Sequence, residues 1–217
     1  MTQLDAQQVV FLFRVIARRL ADARVELGAL DGAIGDADHG TAMADGFAMV
    51  VQSGAEAAAR GTAAGDLFAV AARAFLNAVG ATSGPLYASA FMRAGQRFAG
   101  QTTIAAEELP AIIGDFAEGI ADRGKARPGD KTMMDVWAPA ARAASLAAEG
   151  PLARLDRAVV AAEGGRDATR AMAASVGRAA RLAERSLGHV DPGAASAAII
   201  IAALRDGLAP HLSGGHN

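Results

Sequence analysis

Val9, Phe13, Ile16 and Leu20 recur at spacings of three and four, which lines them along one face of a helix. The spacing predicts a first helix over about Asp5 to Leu27, ended by Gly28. Ala29 to His39 reads as loop, and a second helix runs from about Thr41 to Arg60. Gly61 and Gly65 bracket a turn, with Thr62 or Asp66 available to cap a third helix over about Asp66 to Val79. The Gly80 to Gly84 stretch interrupts before a fourth helix from Pro85 to Phe98, a start that proline tolerates because its missing N–H would be unpaired there anyway. A fifth helix covers about Ile104 to Asp122, Arg123 to Lys131 is loop, and a sixth covers about Thr132 to Glu149, stopped by Gly150-Pro151.

Leu152 to Leu187 is helical in pattern over 36 residues. As one helix it would extend about 54 Å, against about 30 Å for its neighbours. Gly164-Gly165 is the natural break, leaving a short piece before it and a full-length helix over about Asp167 to Leu187. A last helix covers about Pro192 to Ala209, and the tail ending SGGHN should fray.

Composition sharpens this picture. Alanine supplies 57 of the 217 residues, and alanine is the best helix former. Aromatics are 5% and β-branched residues rarely alternate, so sheet is disfavoured everywhere. The expected fold is all-α, an antiparallel up-and-down bundle or barrel of about eight helices, with residues 1–217 as a single domain. A formal net charge of -2 gives no electrostatic footprint for nucleic acid. With no cysteine there is no disulfide, thiolate nucleophile or cysteine metal site. No apolar run reaches the roughly 18 to 20 residues of a membrane span, and MTQLDAQQVV lacks the basic-then-apolar order of a signal peptide. The expectation is a cytoplasmic protein with neither a membrane nor a nucleic-acid partner.

Polar, glycine-bearing segments precede alternate helices. They are GDADHGT (Gly35 to Thr41), GATSGP (Gly80 to Pro85), GKARPGDKT (Gly124 to Thr132) and GHVDPGA (Gly188 to Ala194). If the broken pair counts as one, all four lead into even-numbered helices, which start at the same end of an up-and-down bundle. Helix N-termini carry unpaired N–H groups and about half a positive charge each, so four on one rim would form an anion site suited to phosphate. Asp31, Asp36 and Asp38 lie within eight residues of the first loop. One such aspartate is ordinarily a turn or cap residue. Three together repel unless a cation neutralises them, and hard carboxylate oxygens suit Mg²⁺ held beside a substrate phosphate. His39, between Asp38 and Gly40, reads as a ligand contact, with a capping role as the alternative. GKARPGDKT superficially resembles a phosphate-binding P-loop, but Asp130 separates Gly129 from Lys131 and no strand precedes it. Met133 and Met134 are either core filler or a surface for a base.

Four stretches, LDGAIGDADHGT, ATSGPLY, GDKTMMD and GRAARLAERSLGHVDPGA, occur in an order and spacing that resembles the nucleotide-binding L subunit of dihydroxyacetone kinase. The resemblance covers nearly the whole chain. It implies an antiparallel eight-helix barrel with ADP or ATP at one rim and two Mg²⁺ ions. By that resemblance the metal ligands are Asp31, Asp36 and Asp38. The nucleotide contacts are His39, Gly40, Thr41 and Ala42, then Thr82, Ser83 and Gly84, then Gly124 and Met133, and finally Arg178 with Asp191, Pro192 and Gly193. Arg181 and Arg185 lie close to Arg178 and compete for its place. The resemblance also implies a separate K-type subunit that binds the triose, so that this chain carries neither nucleophile nor general base. It leaves two modes open: exchanging ATP as donor, or captive ADP recharged by a phosphotransferase-system protein. Assembly as a homodimer or a heterotetramer is expected, and the acceptor is dihydroxyacetone or another short ketose such as a tetrulose. The competing readings are a regulatory module that binds a nucleotide or other anion and docks on another protein, and a plain helical bundle.

Overall fold

The first helix is fixed at its start by Asp5. Its carboxylate accepts from the Gln8 amide at 2.9 Å while the Gln8 side chain accepts from the Asp5 amide at 2.8 Å, a reciprocal capping box. In a computed structural model the chain is described over residues 2–33, 35–80, 82–146, 150–176, 184 and 186–212. Among these, the helices are α1 (Ala6–Asp22), α2 (Arg24–Gly32), α3 (His39–Ala59), α4 (Leu67–Ala78), α5 (Ser83–Phe98), α6 (Ile112–Gly124), α7 (Met134–Ala144), α8 (Pro151–Ala168) and α9 (Pro192–Leu212). Two short strands, β1 (Gln3–Leu4) and β2 (Ile104–Ala105), pair antiparallel.

Each long helix packs on the next, α1 on α3, then α4, α5, α6, α7 and α8 in turn, and α9 lies between α8 and α1. Eight helices thus close a ring, and α2 caps one end against α3 and α9. The expected all-α bundle is what the chain forms. Phenylalanines fill the barrel. Phe91, 1% exposed, has ring centroids of Phe116, Phe47, Phe13 and Phe75 at 5.0, 5.8, 6.0 and 6.3 Å. Edge-to-face and tilted aromatic contacts of this kind add to plain area burial. Among the described residues α9 alone is long and apolar enough to cross a membrane, yet most of its apolar stretch is buried against the other helices.

Several expected boundaries shift, each for a local reason. The helix expected over Asp5 to Leu27 is two: the chain turns at Ala23, and α2 continues to Gly32 into what reads as loop. The helix expected from Ile104 starts only at Ile112. Ile104 and Leu4 are both buried as a strand pair, and Leu109–Ala111, with Pro110, forms a single 3₁₀ turn that leads into the helix. Short sheet therefore exists where none was expected. The sixth helix is Met134–Ala144, shorter than Thr132 to Glu149, of which 147–149 lie outside the described residues.

The Gly164-Gly165 pair does not break α8. A Cβ on Gly165 would sit 2.0 Å from the Asp135 carbonyl oxygen of α7. Pro139, four residues further along α7, has no N–H to occupy that carbonyl. The glycine marks a close approach of two backbones there, which overrides its low helix propensity. Helix then ends at Ala168, Thr169–Ala171 forms one 3₁₀ turn, and residues 172–175 are irregular. The helix expected from Asp167 to Leu187 is thus absent over its described first part, and 177–183 and 185 lie outside the described residues. Because α8 crosses the bundle alone, the segment leading to α9 returns to the same rim as the other three loops.

Candidate functional site

The lead-ins to α3, α5, α7 and α9 meet around one cavity of about 290 Å³. The first loop contributes Asp31, Gly35, Asp36, Asp38 and His39; the second, Thr82 and Ser83; the third, Gly124, Lys131, Thr132 and Met133; the last, Asp191, Pro192 and Gly193. Four helix N-termini therefore face one space, each with its first amides and partial positive charge. A roomier open groove of about 510 Å³ lies outside the barrel against α5 and α6. Its Arg93 is already paired with Glu118, and none of the four helix lead-ins but Pro85 reaches it.

The carboxylates of Asp31, Asp36 and Asp38 each offer an oxygen within 4.8 Å of the others. Asp31 sits in the last turn of α2, and its Oδ2 accepts from the Asp38 amide at 3.0 Å and the His39 amide at 3.3 Å. These bonds fold the loop back over the aspartate. Ala37 turns the corner in the left-handed region at φ 62°. A Cβ on Gly35 would lie 2.4 Å from Asp31 Oδ1, so only glycine leaves that oxygen clear. Three hard oxygen donors this close fit a divalent cation such as Mg²⁺.

His39 opens α3, with Nε2 2.9 Å from Ser196 Oγ of α9. The Ser196 hydroxyl donates to the Gly193 carbonyl at 3.0 Å, so it accepts from the imidazole. Burial pulls the His39 pKa down, while Asp31 and Asp38 partly restore it. Gly40 is buried behind His39, Ala42 is half-buried, and exposed Thr41 accepts from Arg24 Nε at 3.3 Å. Gly40, Thr41, Ala42 and Gly84 do not line the cavity themselves. Met133 and Met134 belong to the core and also touch the cavity wall. Arg178, with Arg181 and Arg185, lies outside the described residues.

Besides Asp191, the third and fourth loops are held by groups that the motifs did not single out: Thr169, Asp135 and Lys131. Asp191 Oδ2 accepts from the Ala194 amide at 2.7 Å, which caps α9. Burial pushes the Asp191 carboxyl up to about 6, against the pull of the Ala194 amide and of Lys131. Thr169 accepts from the Asp191 amide at 3.0 Å through Oγ1. Asp135, buried in the first turn of α7, accepts from the amides of Gly129 and Thr132. Lys131 is 2% exposed, and its desolvated ammonium has a pKa pulled below that of an ordinary lysine. The GDKTMMD stretch carries both Lys131 and Asp135. Its spacing argues against a P-loop, and it gives no sign that this lysine turns inward.

A model of the DAK2 domain matches residues 33–206 of the chain. Escherichia coli (strain K12) has a relative described as the PEP-dependent dihydroxyacetone kinase, ADP-binding subunit DhaL, 41% identical over 78% of this chain and 81% of its own. A Listeria innocua protein described as PEP-dependent dihydroxyacetone kinase 1, ADP-binding subunit DhaL, is 37% identical over 86% of this chain and 88% of its own. Among solved structures, the dihydroxyacetone kinase from C. freundii in complex with AMP-PNP and Mg2+ matches with a TM-score of 0.70 at 24% identity, over 95% of this chain and 34% of that one. The chain thus spans about a third of that kinase, and the likeness bears on the fold.

Proposed function

We propose a function on the premise that the chain belongs to the DAK2 domain family, whose model covers residues 33–206. The chain is a kinase subunit of the DhaL type. It holds a nucleotide and passes a phosphoryl group to dihydroxyacetone carried by a separate K-type subunit. Its residues 1–217 serve as one nucleotide-binding domain, a reading supported by the ring that α9 closes against α1. The observation that carries the site is the meeting of four helix lead-ins with three carboxylates whose oxygens lie within 4.8 Å.

In this reading Asp31, Asp36 and Asp38 hold two Mg²⁺ ions. Bound magnesium would neutralise charge on the polyphosphate, which is most of what phosphoryl transfer asks of a protein. The stretch His39, Gly40, Thr41 and Ala42 at the start of α3 contacts the phosphates, joined by Thr82, Ser83 and Gly84 at the start of α5. Gly124 and Met133 flank the base or ribose, Arg178 reaches the nucleotide, and Asp191, Pro192 and Gly193 complete the wall. The chain supplies positioning and field, while the partner supplies the acceptor hydroxyl. Phosphoryl transfer to that hydroxyl releases its proton outside this chain.

ADP as a captive cofactor, recharged by a phosphotransferase-system protein, is favoured over exchanging ATP. The support is that relatives sharing most of their length with this chain are described as ADP-binding subunits of PEP-dependent kinases, and one from Lactococcus lactis as that of a PTS-dependent kinase. The reading places the subunit in the cytoplasm, in a homodimer or a heterotetramer with its K-type partner. A tetrulose acceptor is the second reading. It is favoured by a Mycolicibacterium smegmatis relative described as L-erythrulose 1-kinase, 36% identical over 94% of this chain and 36% of its own.

The test is thermal. Saturating Mg-ADP raises the melting temperature of the chain, as ligand at about 100 times Kd adds about 2.7 kcal/mol to the folded state. Asp36→Ala removes the rise while leaving the unliganded melt within a few degrees. No rise with wild type at millimolar Mg-ADP overturns the reading. Reconstitution with a K-type subunit then decides the acceptor, and ADP that survives dialysis of the purified chain marks the captive mode.

A further inference from the structure

Of the 21 basic residues only two are lysine, Lys125 and Lys131, and both lie in the loop between α6 and α7. Both have left-handed backbones, at φ 58° and 60°, a conformation that costs a non-glycine residue about 1 kcal/mol or more. Lys125 ends α6 in the open. Lys131 turns inward and is 2% exposed.

Its Nζ donates to the Thr169 carbonyl at 2.5 Å and to the His189 carbonyl at 2.6 Å. These two acceptors flank the whole excursion that runs from the end of α8 to the start of α9. One ammonium therefore ties both stems of that excursion to the loop that precedes α7. The Thr169 carbonyl also accepts from the Met172 amide, so the tie sits where helix gives way to irregular chain. Thr169 passes the constraint on, since its hydroxyl oxygen receives the Asp191 amide at 3.0 Å. Asp191 in turn caps α9. A Cβ on Gly193 would fall 3.5 Å from Met133, so the third and fourth walls of the cavity meet just beyond this brace.

The geometry points to Lys131 as a positioning residue for the nucleotide site. It sets the Asp191-Pro192-Gly193 wall against Met133 by gripping Thr169 and His189 from the neighbouring loop. The chemistry suits lysine: a compact ammonium with three donors can serve two converging carbonyls, where a planar guanidinium is bulkier. A buried ammonium without acceptors would be strongly unfavourable, so it and its two carbonyls hold or release together. The role rests on the nucleotide reading above, in which that wall faces ADP.

The test uses the full chain at a temperature well below its melt, with Mg-ADP as the probe. Lys131→Met keeps the aliphatic length and removes the donors. Its Mg-ADP dissociation constant rises about tenfold or more, as expected for losing charge-assisted hydrogen bonds behind a binding wall, and bound ADP leaves correspondingly faster. Lys131→Arg keeps donors for the two carbonyls but is bulkier, and it recovers part of the affinity that Lys131→Met loses. A folded Lys131→Met that holds Mg-ADP within twofold of wild type overturns the role, whatever its melting temperature, because a purely structural brace lowers the melt and leaves affinity alone. Should Lys131→Met fail to fold, Thr169→Val cuts the same path one bond later. A severalfold loss of affinity there supports the role, and unchanged affinity overturns it. Wild type that takes no Mg-ADP overturns the functional reading itself, which separates the two failures.

Discussion

Burial sets the charge state of Asp191. Its carboxyl is pushed up to about 6 from an ordinary 3.8, so between those values the folded chain holds a proton that the unfolded chain has released. Stability contributed by this group is fully present below about pH 4 and is lost as pH rises toward 6. The size is on the order of 2–3 kcal/mol. Asp191→Asn keeps an acceptor for the Ala194 amide and removes the titration. We expect wild type to lose stability relative to this variant between pH 4 and 6 in denaturant melts, and parallel pH curves would refute the assignment. At this scale the sequence was legible where chemistry repeats within a short stretch. Asp31, Asp36 and Asp38 announce themselves by spacing, and their oxygens do come together. Lys131 and Asp135 were not legible in the same way. Whether a lysine turns inward depends on carbonyls 38 and 58 residues away along the chain, and no local pattern encodes that.

Individual elements are held by their ends and by their contacts. The Asp5–Gln8 capping box predicts that Asp5→Ala costs about 1 kcal/mol, read as a lower urea midpoint with an unchanged slope. Gly165 is a contact of the other kind. Adding a methyl there would drive it into the Asp135 carbonyl oxygen, 2.0 Å away. Gly165→Ala should therefore destabilise by about 1–3 kcal/mol, although alanine is the better helix former by about 1 kcal/mol. A stabilised Gly165→Ala protein in the same urea melt would show that α8 can slide off α7. The glycine pair shows why local pattern misplaces the helix boundary between Leu152 and Leu187. Local propensity treats a glycine pair as a stop, and only the tertiary partner reveals it as a seat. The strand at Ile104 has no local signature for a related reason: two residues are too few to show alternation, and their partner lies a hundred residues upstream at Gln3 and Leu4.

For the whole molecule, the ring of eight helices was legible because its signal is repeated at every turn. Stripes such as Val9, Phe13, Ile16 and Leu20 recur along the chain, and each glycine-bearing loop marks a reversal. What sequence could not supply was the centre, where rings from four other helices meet on Phe91 of α5. Phe91→Ala should cost about 3–5 kcal/mol, a fall in melting temperature of roughly 10 °C for a chain of this size. A fall of only a degree or two in calorimetry would mean that the neighbouring rings collapse into the space. The helix that seals this ring, α9, also carries the Asp191-Pro192-Gly193 wall at its head. A nascent chain that has not yet made α9 could pair α1 with α3 and gather its acidic trio, yet it would have an open-sided trough in place of a pocket. The pocket proposed for the nucleotide therefore closes only once α9 has been made and has docked between α8 and α1.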